Sequence, residues 1–500
     1  MEKERSMMDS VKVSYIIPTY NFKELLKTGL DYLADQRLEA GVDMEVVVID
    51  DGSSDGTHDI VNDYAGRFTH FVYVYRARDE RSCRSRTRNL GIRQASGDVI
   101  VFLDAGVLVG KEFTNIVAAR FIQMSSRVLY HRIAGLEIDP QRDDMSPLAA
   151  ESLTPDNLPQ VVERLSAVPG WGDEREGVAR ANADDLSRLA LPWAYGMTCA
   201  MSVPAELVRQ AGGFEERFLG WGCEDVEFAL RLFEAQAVFH FEREACALHL
   251  PHPKSHTKKH SVSHANNAEL LHKLYGIVPT ELMLMYPGLF FDAMMLKLQS
   301  LQTGQWFGAA YKQRLADGTA LRAEGARTLL IGMDDPDCAR SFGATHLLAY
   351  NETSLGRLRS ELPDVSVSYS LGCRTFFTDG YFDTAVITDF IRLLHPALAA
   401  QLLREAGRVA KTVVLLLAGD EAPPQPKLVP PAIVKRLITL ETAPAADGFA
   451  IEYAFVPGNN RAVMERYYWS PVEEMAQLAA QLLPEGSWTI GVPDRMNAQA

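Results

Sequence analysis

The apolar and polar positions of the chain change period in a regular way. VKVSYIIP (Val11 to Pro18) is an apolar run closed by proline, and EVVVID (Glu45 to Asp50) and VIVFL (Val99 to Leu103) repeat that form, so each predicts a buried strand. Lys23 to Gln36 and the stretch around Thr87 to Ala95 carry helical periodicity, and Val72 to Tyr75 reads as a further short strand. This alternation predicts an α/β protein with an open, mostly parallel sheet, in which ligands bind beyond the carboxyl ends of the strands. Asp50, Asp51 and Asp104 all sit at such ends.

The rhythm breaks over residues 136–190, which are rich in Asp, Glu, Arg and Pro and read as an inserted, partly helical excursion near the site. It resumes at Ala194 to Val203, and the His- and Lys-rich stretch His249 to His264 then reads as a loop. Glu281 to Leu301, rich in Met and Leu, predicts a helix for packing or for a homo-oligomer. Strand-like runs return at Arg327 (RTLLIGM), Thr345 to Ala349, Phe382 to Ile387 and Thr412 to Leu417, with a helix over Pro396 to Val409. The expected domains are therefore 1–275, a helical linker 276–325, and a second α/β domain 326–500.

Composition narrows the class. The 500 residues are 47% hydrophobic and 23% charged, which is ordinary for globular protein, and the net charge of -15 argues against nucleic acid as a partner. Six cysteines without a C-x-x-C pair predict neither a disulfide framework nor a zinc knuckle and fit a reducing cytoplasm. The polar start MEKERSMMDS lacks a signal-peptide core, and apolar runs such as Val413 to Ala418 are too short to span a membrane.

Several short motifs carry chemistry. IIPTYN (Ile16 to Asn21) runs from a strand into a helix start, and VIDDGSSDGT (Val48 to Thr57) ends a strand in two acids whose carboxylates can bind nucleobase N–H and ribose hydroxyls. Ser53, Ser54 or Asp55 can instead cap the following helix. RSCRSRTRN offers Arg81, Arg84, Arg86 and Arg88 to a diphosphate, Arg84 and Arg88 lying four apart on one helical face. In GWGCED, Asp225 falls at the start of a helix (VEFALRLFEA), where capping N–H groups and the helix dipole keep a carboxylate ionised.

The order IIPTYN, VVIDDGSSDGT, RNLGIRQASGDVIVFLDAG and GGFEERFLGWGCEDVEF, over about half the chain, resembles the inverting family-2 glycosyltransferases of GT-A fold. GWGCEDVEF also looks like their galactosyltransferase and chondroitin-polymerase branch. The resemblance implies a nucleotide-sugar donor, UDP-linked by expectation, bound near Pro18, Thr19, Tyr20, Asp50, Asp51, Arg84, Arg88 and Asp104. It makes Asp225 the base and Glu224 a ligand of the acceptor hydroxyl, with Trp221 and Gly222 on the acceptor side. An attacking hydroxyl or thiol of a glycan, peptide or small molecule must lose its proton as it displaces the diphosphate from the opposite face, which is the base's task.

Relatives carry Asp-x-Asp where this chain has Asp104-Ala105-Gly106, the second acid binding Mn²⁺ or Mg²⁺. A histidine after the Glu-Asp helix often completes that site, which points to His249, with His252 as second choice. Three accounts fit the glycine: a metal held by Asp104, His249 and diphosphate oxygens; leaving-group stabilisation by basic side chains without metal; or binding without transfer. The intact Glu224-Asp225 pair argues against the third.

From about residue 327 to 420 the chain looks like a class I methyltransferase fold, but Gly332-Met333-Asp334-Asp335-Pro336 replaces the glycine-rich turn that S-adenosylmethionine needs. A degenerate domain for acceptor docking or oligomerisation is expected. The alternatives to a single-activity transferase are a non-catalytic sugar-nucleotide-binding scaffold and a bifunctional glycosyltransferase and methyltransferase.

Overall fold

The computed structural model describes residues 10–123, 126–253, 258–285, 295, 298, 325–394, 396–417 and 472–491. The chain divides into two compact units, Met1–Leu271 and His272–Ala500. Both are α/β, as the alternation of strands and helices predicts.

In the first unit, β1 (Val11–Thr19), β2 (Val42–Asp50), β3 (His70–Tyr75) and β4 (Val99–Leu103) run parallel and are joined by helices α1 (Lys23–Ala34), α2 (Thr57–Tyr64) and α3 (Arg84–Gln94). The chain continues through β5 (Val107–Val109), α4 (Phe113–Gln123) and β6 (Arg127–Ala134), then the short helices α5 (Ser146–Ala149), α6 (Leu158–Ser166) and α7 (Glu176–Ala181). Next come β7 (Ala200–Pro204), α8 (Ala205–Ala211), α9 (Glu224–Glu234), β8 (Val238–His249) and α10 (Lys258–Tyr275). The eight strands form one sheet in the order β3-β2-β1-β4-β7-β6-β8-β5, with β7 antiparallel to β4 and β6.

Sequence explains most of these elements. All five residues of β4 are buried, the expectation for a strand covered on both faces, and so it reads as an unbroken apolar run. Helix α3 inverts the usual pattern by burying Ser85, Thr87, Arg88, Asn89 and Gly91. Gly91 lets it approach the sheet closely, because a Cβ there would stand 2.4 Å from Ile16 Cγ2. A helix that buries polar groups must satisfy them with partners across the fold.

The excursion over 136–190 is partly helical, and it builds a second core. Leu158, Val161, Val162, Leu165 and Trp171 pack with Leu108, Ala134 and Leu248 of the sheet. Fully buried Arg175 pins it, donating to Asp173 at 2.8 Å and 2.9 Å and to the His131 carbonyl at 2.8 Å. The expected His249 to His264 loop is corrected: helix begins at Lys258, because Ala268 and Leu271 supply a buried apolar side that the histidines obscure.

The second unit is a parallel sheet of β9 (Thr328–Ile331), β10 (His346–Ala349), β11 (Ser366–Tyr369), β12 (Phe382–Thr388), β13 (Ala410–Leu416) and β14 (Trp488–Gly491). Its order, β11-β10-β9-β12-β13-β14, is that of a doubly wound nucleotide-binding sheet. At the carboxyl ends of β9 and β10 the crevice is filled from within. Gly332 has φ +81, and a Cβ on it would stand 2.5 Å from Phe390 Cβ. Phe390 in turn stacks on Tyr350 at 4.5 Å.

Helix α11 (Val278–Met285) belongs to this unit, within the stretch expected as linker. Its buried Glu281 accepts hydrogen bonds from the N–H groups of Leu371 (2.8 Å) and Arg374 (2.9 Å), from Cys373 N–H and from Ser370 Oγ. The rest of the expected Glu281 to Leu301 helix lies outside the described residues, apart from Met295 and Leu298. Among the described residues, no helix is long and apolar enough to cross a membrane.

Candidate active site

The strand ends β1 and β2 meet in register at Thr19 and Asp50. Beyond them the two loops are laced together. Asn21, held at φ +53, donates its N–H to Ser53 Oγ and accepts from Ser54 N–H, each at 2.8 Å. Asp55 ties the starts of α1 and α2 together, accepting from Lys23 N–H at 2.9 Å and from the N–H and hydroxyl of Thr57 at 3.1 Å and 2.6 Å, while Gly56 at φ +84 holds the N-cap position of α2.

Asp50 is fully buried, and its oxygens accept from Ser53 N–H (2.7 Å) and the Tyr73 hydroxyl (2.8 Å). It thus supports the loop from beneath. Asp51 is ion-paired with Arg76 and with Arg78, the latter at 2.9 Å, and the Arg78 guanidinium lies 3.9 Å from the centroid of the Tyr20 ring. Pro18 ends β1 beside Thr19, whose buried hydroxyl has no hydrogen-bond partner among the described residues. Pro18, Thr19, Tyr20 and Asp51 therefore gather at one strand end.

Arg88 forms the centre. Its buried guanidinium reaches Asp104 at 3.3 Å, Asp225 at 3.3 Å and Glu224 at 3.4 Å, so three carboxylates share one cation. Burial opposes the charge on Arg88, but Asp225, Asp104 and Glu224 hold it protonated. Arg84, expected beside Arg88 on a diphosphate, donates to the Gly220 carbonyl at 3.0 Å. The two arginines thus have separate partners within the protein.

Glu224 and Asp225 open α9 and differ in access. The Glu224 side chain is 7% exposed and that of Asp225 is 25% exposed, so Asp225 is the one a substrate can reach. Burial and the neighbouring Asp225 charge push the Glu224 carboxyl up, and its Oε2 accepts from Gly222 N–H at 3.1 Å. Asp225 accepts from both the N–H (3.1 Å) and the hydroxyl (2.6 Å) of Thr198, a fully buried residue. Two neutral donors and one cation fix that carboxylate in place.

Residues 14–134 match the family model described as "Glycosyl transferase family 2", and residues 180–257 match "N-terminal domain of galactosyltransferase". The chain is 30% identical over 422 residues to a validoxylamine A glucosyltransferase of Streptomyces hygroscopicus subsp. limoneus, covering 82% of this chain and 91% of that protein. The chain belongs to glycosyltransferase family 2. A second validoxylamine A glucosyltransferase, from S. hygroscopicus subsp. jinggangensis, is 30% identical over 80% of this chain and 96% of its own length. Among solved structures, S. aureus TarS is similar at 17% identity and a TM-score of 0.37, over 71% of this chain and 49% of that one.

The family-2 match of this glycosyltransferase falls within its first unit. Gly106 is not merely a lost ligand: at φ +87, a Cβ there would stand 2.9 Å from Leu25 Cβ. His249 ends β8 opposite Val107 of β5, and its ring lies 5.3 Å from that of His252, which packs on Phe22 at 5.0 Å. No group of three or more His, Cys, Asp or Glu residues that could hold a metal occurs among the described residues. Asp104, 35% exposed, still fits a Mg²⁺ or Mn²⁺ ion carried chiefly by donor phosphates, since such ions need only one or two protein carboxylates.

Two residues escaped the sequence reading of this family-2 site. Thr198 lies in no motif and precedes a strand without any local signal. Arg78 follows β3 in a charged stretch where nothing marks it from Arg76 or Arg81, and only the fold sets it over Tyr20. Asn89 also gains a role: its side chain accepts from Phe214 N–H at 2.7 Å and donates back to the Phe214 carbonyl at 2.8 Å, anchoring the loop that leads to GWGCED.

Proposed function

We propose that this chain transfers glucose, with inversion, from a uridine-diphosphate sugar to a hydroxyl of a cyclic polyol such as validoxylamine A. The observation that carries the chemistry is the partly exposed Asp225 carboxylate, held by Thr198 and Arg88 at the start of α9. The names of the two validoxylamine A glucosyltransferases that match most of the chain support this choice of sugar and acceptor class.

In this reading Tyr20, Thr19, Pro18 and Asp51 receive the nucleoside, with Asp50 bracing their loop. Asp225 takes the proton of the acceptor hydroxyl as its oxygen bonds to the anomeric carbon, and the bond to the diphosphate breaks with its electron pair leaving on phosphate. Arg88 holds Asp225, Glu224 and Asp104 in one array. Asp104, with His249 as second protein ligand, would hold a Mn²⁺ or Mg²⁺ ion, which when bound offsets charge on the departing diphosphate. Six free, buried cysteines fit a cytoplasmic setting.

For the second unit, the Phe390 and Tyr350 stack occupies the strand ends where a cofactor would lie, which speaks against cofactor chemistry and leaves acceptor docking or assembly as the proposed role. The test is incubation of the full chain with UDP-glucose, Mn²⁺ and validoxylamine A, with product mass by mass spectrometry and anomeric configuration by NMR. Formation of a β-glucoside supports the reading. UDP-sugar binding without transfer to any acceptor would favour a non-catalytic scaffold.

A further inference from the structure

The loop from Leu219 to Cys223 leads directly into Glu224 and Asp225, and its carbonyls from Leu219 to Gly222 are all taken. Arg84 holds Gly220 from the α3 side at 3.0 Å. From α10, Asn267 Nδ2 donates toward the carbonyls of Gly222 (2.9 Å), Leu219 (3.1 Å) and Trp221 (3.3 Å). Ser263 Oγ accepts from Trp221 N–H at 2.8 Å and directs its proton to the Leu219 carbonyl at 3.1 Å.

The two glycines of the motif are what let the helix come this close. A Cβ on Gly220 would stand 2.2 Å from Ser263 Oγ, and one on Gly222 would stand 2.6 Å from His264 Cδ2. Both have positive φ, +79 and +101, so a side chain at either is excluded by conformation as well as by space. The Trp221 ring packs 5.4 Å from that of His264 and yet remains 46% exposed. A backbone gripped from two sides therefore presents a large flat apolar ring to its surroundings, a few residues ahead of the Asp225 carboxylate.

We propose that Ser263, His264 and Asn267 of α10 are positioning residues of the acceptor subsite, fixing Trp221 as a platform for the apolar face of a cyclic polyol. A sugar or cyclitol ring has C–H groups on its faces and hydroxyls around its rim, so stacking on an indole leaves a rim hydroxyl free to meet a base. A loop ordered in advance spends no binding energy on being ordered when the acceptor arrives. The inference rests on the glucosyltransferase reading with Asp225 as base.

The test uses the full chain with UDP-glucose and validoxylamine A, comparing wild type with Ser263→Ala, Ser263→Thr and Asn267→Ala. Asn267→Ala is expected to raise the acceptor KM about tenfold, with the UDP-glucose KM kept within about twofold, and to speed amide exchange at 219–223. Ser263→Ala moves the same quantities less, and Ser263→Thr, which keeps the hydroxyl, restores them. Faster exchange without a change in acceptor KM would reduce the grip to a structural contact and overturn the inference, as would acceptor and donor KM rising together. Absence of transfer by wild-type protein would overturn the functional reading itself, an outcome distinct from any difference among the variants.

Discussion

Gly106 stands two positions after Asp104, where an Asp-x-Asp pair would place its second acid, and its backbone and surroundings both exclude a side chain. Gly106→Asp is therefore expected to lower stability by about 1–3 kcal/mol through a non-glycine residue at positive φ, without strengthening Mn²⁺-dependent UDP binding. Thermal unfolding and UDP titration with and without Mn²⁺ check both halves. Asp225 was legible because GWGCED places it at a helix start. The partners of Arg88 were not, since Glu224 and Asp225 lie 136 and 137 residues away in sequence and only the fold brings them to one guanidinium. Thr198 left no trace, because a hydroxyl that orients a carboxylate has no pattern of its own.

Strands β1, β2 and β4 were readable because parallel strands covered on both faces carry continuous apolar runs. Helix α10 was hidden, since its histidines and lysines look like a solvated loop until Ala268 and Leu271 are seen to pack. The helices over 136–190 were legible as a partly helical excursion, but not their bounds. What fixes them is Arg175, buried with Asp173 and bonded to the His131 carbonyl. Arg175→Ala would leave the Asp173 carboxylate buried without its cation, a loss of about 3–5 kcal/mol. A lowered melting temperature with loss of helical signal is expected, and an unchanged melting temperature would show that the excursion is held by its apolar core alone. In the second unit the strands were equally plain, but that Phe390 takes the space beside Gly332 depends on contacts between strands far apart in sequence.

At the scale of the whole chain, one buried group in each unit should contribute to stability with opposite pH dependence. Burial holds the His131 imidazole down at about 4 from an ordinary 6.5, so between those values the unfolded chain binds a proton that the fold refuses. The contribution of His131 to the first unit's stability is therefore lost as pH falls through that window. Burial pushes the Glu281 carboxyl up from 4.5 to about 7 despite its four donors, so over that range the fold keeps a proton that the unfolded chain releases. The contribution of Glu281 to the second unit's stability is therefore lost as pH rises through that range. Calorimetry of the full chain across these windows should show the two contributions, with His131→Asn and Glu281→Gln each weakening the pH dependence of its own unit. For the function of the whole chain the most direct measurement pairs glucose transfer with UDP-glucose binding in Asp225→Asn. Transfer is expected to fall about 10²- to 10⁴-fold while donor affinity, read by titration calorimetry, stays within about twofold of wild type. Near-normal turnover in that variant would contradict the assignment of Asp225 as the base.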